Sequence, residues 1–179
     1  KTSYIPLPIK MPDNINVHEP GKRLKIFIGI NKSRNEYKGT DIMLKAAQDI
    51  QSRFPDKMEL IKAESVPFKE YDKLMDGCDA ILDQLYSYTP SMNSLLAMSK
   101  GIICIGGGEN EGYELIKEND LRPIINVKPN YESVYKELKD LVCNPIRVKQ
   151  LKLQSVQYVM KHHDYIKVAK EYEQIYQNN

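Results

Sequence analysis

Short apolar segments that alternate with segments of helical periodicity are the feature that most limits the folds available to this chain. Leu24–Ile30 (LKIFIGI) is bounded by basic residues on one side and by polar residues on the other. An apolar run of this length is typical of a strand that is buried on both faces. Similar segments predict four further strands, at 57–63, 80–85, 102–105 and 123–127.

The segments between these predicted strands carry apolar residues at three- and four-residue spacing. In residues 40–54 this pattern begins at Thr40 or Asp41, either of which can cap a helix, and stops before Pro55. The same reasoning predicts helices at 68–75, 89–100, 111–118, 131–142, 145–161 and 165–176. Strands and helices in this order form right-handed crossovers and a parallel sheet covered on both faces. The predicted fold class is therefore α/β, a Rossmann-like three-layer sandwich.

The length of 179 residues corresponds to about one domain. The first twenty residues contain Pro6, Pro8, Pro12 and Pro20. Each proline fixes φ and lacks an N–H donor, so no regular helix or central strand fits there. We predict an interdomain linker or leader at 1–22 and one domain with C-terminal helices at 23–179. Because Lys1 is an unusual first residue, we expect the natural chain to be longer.

The charge balance argues against nucleic acid as the main partner. The 26 Lys and Arg residues against 24 Asp and Glu give a net charge of +2, far from the basic excess of a protein that neutralises a phosphate backbone. No apolar run approaches the length that spans a bilayer, about 20 residues. The three cysteines, Cys78, Cys104 and Cys143, form no CxxC pair, so we expect buried, reduced thiols. These features predict a cytoplasmic protein.

Ligands of such sheets bind outside the carboxyl ends of the strands, which here are followed by the predicted loops 31–39, 86–94 and 106–112. The first loop places Arg34, Lys38 and a glycine between a buried strand and a helix start. Cations beside the positive end of a helix are the combination that binds a diphosphate. The alternative is a solvated loop with ordinary surface cations.

The second loop offers hydroxyl and amide groups at another predicted helix start. These groups can hydrogen-bond a phosphate or a ribose, although simple helix capping explains Thr89 or Ser91 equally well. In the third loop, three consecutive glycines permit close backbone approach or positive φ. They lack the GxGxxG spacing and precede an acidic stretch, which argues against an NAD site.

His162 and His163 invite a metal or catalytic interpretation. Together with Asp164 they form a His-His-Asp run, but adjacent helical residues point to different sides, and no Cys or third His lies nearby in the sequence. We therefore predict no metal site.

Five segments together resemble the C-terminal, nucleotide-sugar-binding domain of GT-B fold glycosyltransferases, particularly the retaining enzymes of family four (group 1) and their bacterial relatives. They cover nearly the whole chain. Residues 4–9 (YIPLPI) are similar to the segment that leaves the N-terminal domain, and 34–41 (RNEYKGTD) to the family's phosphate loop. Residues 79–85 (DAILDQL), 95–103 (LLAMSKGII) and 158–176 resemble its Asp-Gln strand, its "Glu-Ala-Met-Ala" helix and strand, and its closing helices.

The resemblance implies the C-terminal half of a GT-B fold that serves glycan biosynthesis. The complete enzyme would transfer a sugar from a nucleotide-diphosphate sugar to a glycan or other acceptor, with retention of configuration. The implied partners are the donor, the acceptor and the chain's own N-terminal domain, through which alone peripheral membrane association is expected. The resemblance implies no metal or further cofactor, and a fragment that is inactive without its N-terminal domain.

Carried onto this sequence, the resemblance gives Arg34 and Lys38 the catalytic role of holding the diphosphate and stabilising charge on the leaving nucleotide. The donor-binding residues that it implies are Ser33, Gly39, Tyr88, Ser91, Asn93 and Ser94.

The sequence departs from the family at two acidic positions. Leu96 stands where the family has the glutamate that binds the ribose, and Tyr88 stands eight residues earlier. Thr89 and Pro90 lie in what is a glycine-rich turn in the family. Leucine cannot replace the hydrogen bonds of a carboxylate. The alternative function is therefore a degenerate, non-catalytic scaffold or binding module, and a third possibility is a stand-alone flavodoxin-like or epimerase-like domain.

Overall fold

A computed structural model describes residues 4–177; residues 1–3 of the predicted leader and 178–179 of the predicted domain lie outside this range. The strands are β1 (Leu24–Ile30), β2 (Met58–Glu64), β3 (Ala80–Leu82) and β4 (Ile103–Ile105). The helices are α1 (Asn35–Lys38), α2 (Thr40–Arg53), α3 (Phe68–Met75), α4 (Met92–Ser99), α5 (Asn110–Leu115), α6 (Tyr131–Cys143), α7 (Pro145–His162) and α8 (Tyr165–Gln177).

The strands form one parallel sheet in the order β2-β1-β3-β4. β1 is central and pairs along its full length with β2, from Leu24 opposite Met58 to Ile30 opposite Glu64. On its other side, β1 pairs with β3, which in turn pairs with β4. Parallel strands need crossover helices, and every connection between these strands contains one. The predicted α/β, Rossmann-like class is confirmed.

Alternate residues of β1 supply two separate hydrophobic cores. Ile26 and Ile28 pack on the face covered by α2 and α6, whereas Phe27 packs on the face covered by α3 and α4. Because side chains alternate across a strand, a continuous apolar run is required when helices cover both faces. α7 begins against the first core at Val148 and ends against the second at Val159. The three-layer arrangement is thus confirmed.

Two predicted strands are shorter than the sequence pattern indicates. β3 ends at Leu82, and the chain then leaves the sheet: Leu85 N–H donates to the Lys38 carbonyl at 2.9 Å and not to a neighbouring strand. The predicted strand at 123–127 is wrong as an element and reduces to one bridge, between Ile125 and Ile105. Pro123 has no N–H to extend that bridge.

The predicted helix boundaries also need correction at three places. The loop predicted at 31–39 contains a 3-10 turn, Lys32–Arg34, followed by α1. α4 begins one residue after Ser91, so Pro90 precedes the cap and does not occupy the first turn. α5 ends at Leu115 because Lys117 adopts positive φ, which breaks the helical path.

One of the three cysteines differs from the expectation that all of them are buried thiols. Cys78 and Cys104 are buried free thiols as predicted, but Cys143 is exposed because it lies on the outer side of the last turn of α6. In residues 4–177, none of the helices has the length and apolar character needed to cross a membrane.

An ion pair is buried where β3 begins. The Lys152 ammonium of α7 lies 2.7 Å from the Asp79 carboxylate, and the two side chains are only 2% and 5% exposed. The same carboxylate accepts the Lys25 N–H of β1 at 2.9 Å. Asp79 thus joins β1, β3 and α7 at the amino end of the sheet.

The leader packs against the end of α7 through His163. Ile9 N–H donates to the His163 carbonyl at 2.7 Å, and the His163 ring lies 2.9 Å from the Leu7 carbonyl, so Nδ1 carries the proton. Ile9 is buried and bridges Asp164. Residues 4–22 contain no helix or strand. The boundary between leader and domain at residue 22 stays a prediction.

Lys152→Met is expected to lower the free energy of unfolding by about 3 to 5 kcal/mol, because it leaves the Asp79 carboxylate buried without its cation. Adding Asp79→Asn to this variant should restore part of the loss. Urea denaturation measures both effects. Lys149→Met, on the exposed side of the same helix, is the control, and its pair with Glu19 is solvated. A loss at Lys152 no larger than at Lys149 would show that the buried pair is unimportant.

The stability of the fold should fall as the pH drops from 6.5 toward 4. Burial lowers the pKa of His163 from 6.5 to about 4, so between these values the unfolded chain takes up a proton that the folded protein excludes. The full effect corresponds to about 3 kcal/mol. His163→Gln keeps a donor for the Leu7 carbonyl and should flatten this part of the curve, whereas His18→Gln, at an exposed position, should not. Identical curves for His163→Gln and the wild type would contradict this assignment.

Candidate functional site

A cleft of 280 Å³ opens at the carboxyl ends of β1 and β2. Arg34 and Lys38 enter it from the segment after β1, Tyr71 from α3, and Asn93 from the first turn of α4. In a parallel sheet these are the positions at which loops and helix starts converge. The structure therefore brings three of the predicted site residues, Arg34, Lys38 and Asn93, into one cavity.

Local hydrogen bonds shape the segment that carries the two cations. The Asn31 side chain accepts the Ser33 N–H at 3.1 Å and the Ser33 hydroxyl at 2.7 Å, which closes the 3-10 turn. Gly39 ends α1 in the left-handed region, at φ 69°, and donates its N–H to the Glu36 carbonyl at 3.2 Å. Ser33 and Gly39 thus use their polar groups within the turn, and they place Arg34 and Lys38 rather than line the cleft.

A buried carboxylate, Asp83, follows β3 and binds the residue that caps α4. It accepts the Ser91 N–H at 2.8 Å and the Ser91 hydroxyl at 2.7 Å. The Lys38 ammonium lies 4.0 Å away, at the outer limit of an ion pair. The contact is too long to be a strong hydrogen bond. Lys38 is therefore oriented by Asp83 and keeps the capacity to bind an anion.

The structure places the four predicted residues of the second loop at different sites. Ser91 caps α4 and accepts the Ser94 N–H at 3.4 Å. Ser94 is fully buried next to Cys104, away from the cleft. Asn93 is exposed to the cleft, whereas Tyr88 is 64% exposed and lines a different cavity.

Tyr71 is a cleft residue that the sequence reasoning missed. Its ring lies across β1 at Gly29, where a Cβ would come within 2.4 Å of a ring carbon. Burial and then the Asp83 charge raise the pKa of Tyr71 well above its ordinary value, although the neighbouring Asn93 side chain lowers it. The phenol is therefore neutral and can donate a hydrogen bond. A glycine inside an otherwise apolar strand was the signal, because it marks a close approach to the backbone.

Asp83 is a second residue of the site that the sequence reasoning does not predict, although it lies in the segment 79–85 that resembles the family's Asp-Gln strand. Its position directly after the apolar residues of β3 is the signal that could have identified it. A charged residue at the end of a buried strand requires partners. Its partners here are Ser91, the N-cap of α4, and Lys38 of α1, which is distant in the sequence.

The glycine-rich segment after β4 holds the second loop in place. Gly106 and Gly107 have φ values of 103° and 71°. A Cβ at Gly107 would lie 2.6 Å from the Thr89 carbonyl oxygen. The predicted positive φ and close backbone approach are therefore confirmed, and the contact is with the protein's own chain.

The two histidines make protein contacts. His162 lies 2.5 Å from the Glu118 carboxylate, which also pairs with Lys161 at 2.6 Å. Burial by itself raises the pKa of Glu118, but hydrogen bonds from the Leu121 N–H, Lys161 and His162 outweigh it and hold the pKa well below its ordinary value. In residues 4–177, no group of three His, Cys, Asp or Glu side chains is arranged to hold a metal ion. The prediction that the protein needs no metal or further cofactor stays a prediction.

The arrangement is chemically suited to an anion that carries hydroxyl-rich groups. Arg34 offers a planar guanidinium with several donors, and Lys38 offers a compact ammonium in the same cleft. Asn93 and the Tyr71 hydroxyl add neutral hydrogen-bonding groups to the same cleft. Two cations with neutral donors match a phosphate ester better than a hydrophobic ligand.

Comparison with known proteins identifies the fold. No protein-family model and no curated protein matches the chain. Among solved structures, it is similar to the pneumococcal O-GlcNAc transferase GtfA in complex with UDP and GlcNAc, at TM-score 0.64 and 9% identity over 97% of this chain and 39% of that one. Anabaena Alr3699/HepE in complex with UDP gives TM-score 0.63 and 9% identity over 88% and 50%.

A third similar structure is itself a single domain. It is the C-terminal domain of the glycosyl transferase group 1 family protein LpcC from Francisella tularensis, with TM-score 0.59 and 16% identity over 87% of this chain and 95% of that domain. The chain thus has the fold of the C-terminal half of a GT-B glycosyltransferase, as predicted. It spans about 40 to 50% of the length of the GtfA and HepE chains.

Asp83→Asn is expected to destabilise the start of α4, because the amide cannot accept both the N–H and the hydroxyl of Ser91 as a carboxylate does. We expect a loss of about 1 to 3 kcal/mol in unfolding free energy. Ser91→Ala, which removes the cap, should cost about 1 kcal/mol. In urea denaturation the double variant should lose less than the sum of the two single losses. Strict additivity would contradict the shared interaction.

Proposed function

We propose that this domain binds a nucleotide-diphosphate sugar and forms the donor-binding half of a retaining glycosyltransferase, which transfers the sugar to a glycan or other acceptor. The observation that carries the proposal is the position of Arg34 and Lys38 in one cleft, at the carboxyl ends of β1 and β2 and beside the start of α4. In this arrangement the two cations hold the diphosphate.

The charges in the cleft support this assignment. Arg34 is exposed and Lys38 is half-buried. A guanidinium binds phosphate oxygens in a bidentate manner, and a partly desolvated ammonium adds a compact positive charge. When the sugar leaves, negative charge develops on the departing nucleotide, and fixed cations stabilise that charge. Arg34 and Lys38 would therefore act in catalysis as well as in binding.

The chemistry of the similar proteins is consistent with this proposal. GtfA and HepE were both solved with UDP, and GtfA also with GlcNAc. On this basis we propose a nucleotide sugar as the donor of the present protein. The acceptor-binding side of the catalytic cleft would come from the protein's own N-terminal domain, and this domain alone would not turn over. We propose a cytoplasmic, metal-independent reaction of bacterial glycan biosynthesis, with peripheral membrane association only through the N-terminal domain.

A degenerate, non-catalytic glycosyltransferase-like module is the second candidate. Leu96 favours it, because this side chain is partly buried against the second core and supplies no polar group to the cleft. Release of nucleotide by the full-length protein with candidate acceptors distinguishes an enzyme from a module that only binds.

Titration calorimetry of the chain with UDP and GDP tests the donor-binding function. Replacement of Arg34 or Lys38 by Ala should weaken binding by about 10- to 100-fold, the effect of losing charge-assisted hydrogen bonds. Higher salt should weaken wild-type binding, because the interaction is between charges.

Lys32→Ala is the matched control, since it removes the same charge from the same segment. Lys32 pairs with Glu64 at 3.3 Å and is 75% exposed in its side chain. Its loss should change the affinity by no more than about twofold, within the small effect of a surface charge. Equal losses in all three variants would indicate nonspecific attraction, and no binding of either nucleotide would contradict the proposal.

A further inference from the structure

A small cavity of about 20 Å³ lies where the leader meets the end of α7. Tyr4 and Leu7 of the leader line it together with Tyr158 of α7, His163 at the end of that helix and Tyr113 of α5. A cavity must offer about 10 to 15 Å³ to hold a water molecule. This cavity therefore has room for one water and too little room for an organic ligand.

His163 has one ring nitrogen without a hydrogen-bond partner in the protein. The residue is only 4% exposed, and burial lowers its pKa, so the ring is neutral at pH 7. Nδ1 donates to the Leu7 carbonyl, which makes Nε2 an acceptor. Among residues 4–177, no group donates to the buried Nε2 atom. An acceptor left in this state costs free energy, so Nε2 requires a donor from the cavity that His163 lines.

Tyr158 offers a hydroxyl to the same cavity. Its ring centroid lies 5.3 Å from that of His163, and the residue is 3% exposed. Burial, and then the neighbouring Tyr113 and Tyr4 side chains, raise the pKa of Tyr158 well above its ordinary value, so the hydroxyl keeps its proton. This hydroxyl does not bond Nε2 directly, since Nε2 has no partner within the described part of the chain. A molecule that both accepts and donates hydrogen bonds can join the two groups.

We propose that this cavity binds one ordered water molecule, which donates a hydrogen bond to His163 Nε2 and accepts one from the Tyr158 hydroxyl. Water is the molecule that fits both the volume and the required hydrogen bonds. Internal waters make about three hydrogen bonds. Tyr4 and Tyr113, which also line the cavity, offer oxygen atoms for the second hydrogen of the water.

The water fixes the imidazole ring that holds the leader. His163 binds the leader twice, because Nδ1 donates to the Leu7 carbonyl at 2.9 Å and the His163 carbonyl accepts the Ile9 N–H at 2.7 Å. A ring that is hydrogen-bonded at both nitrogens has a defined tautomer and orientation. The attachment of the leader to the domain therefore depends on the water. This role is separate from nucleotide binding and does not require it.

A high-resolution crystal structure of the chain, together with NMR of ¹⁵N-labelled histidine above the pH at which His163 titrates, tests the water site. The structure should show a water oxygen within about 2.7 to 3.2 Å of Nε2. The Nε2 resonance should lie between the positions of a free unprotonated and a protonated ring nitrogen. Tyr158→Phe removes only the hydroxyl and should move this resonance toward the free position. Tyr172→Phe, at an exposed position of α8, is the matched control and should leave it unchanged.

Hydrogen exchange tests the effect on the leader. In Tyr158→Phe the Ile9 N–H should exchange about five- to tenfold faster, the effect of weakening one hydrogen bond. The Leu24 N–H, which donates to the Lys57 carbonyl at 2.8 Å at the start of β1, should change by less than about twofold.

A protein hydroxyl at hydrogen-bond distance from Nε2, or a free Nε2 resonance in the wild type, would overturn the water site. Equal acceleration of Ile9 and Leu24 would reveal a general loss of stability and would overturn the role of the water in holding the leader.

Discussion

The buried ion pair between Asp79 and Lys152 is the constraint around which the sheet is arranged. Both faces of the sheet are dry, so a carboxylate at the amino end of β3 is tolerated only with a cation and a hydrogen-bond donor beside it. α7 provides the cation and β1 the N–H. A single side chain therefore sets how β1, β3 and the helix that crosses to the second core lie relative to one another.

A second aspartate lies at the opposite end of the same strand, next to the candidate site. Asp83 follows Leu82 and holds the start of α4 through Ser91, with Lys38 at 4.0 Å. At the amino end, the Asp79 carboxylate is fully paired and stabilises the fold. At the carboxyl end, Lys38 is only loosely paired with Asp83 and can therefore bind a ligand. The same residue type thus has a structural role at one end of β3 and a positioning role at the other.

Features that leave a local pattern in the sequence were predictable, and features that depend on contacts between distant segments were not. The apolar run of β1 and the helix of residues 40–53 were predictable, because burial on both faces or on one face leaves a direct pattern in the sequence. The ends of β3 and the segment around Ile125 were not, because a strand continues only where a neighbour offers hydrogen bonds. For the site, Arg34 and Lys38 were identifiable from their residue types. Tyr71 was not, since it does not lie in a phosphate-binding pattern.

The sequence by itself determined the layered α/β architecture and placed cations after the first strand, because periodicity and residue type act locally along the chain. Only the tertiary structure decided which of those groups share a cavity. It brought Asn93 and Tyr71 to Arg34 and Lys38, and it buried Ser94 away from them. The physical reason is that contacts between distant segments are fixed by close packing and by the pairing of buried charges, and these depend on all the segments at once.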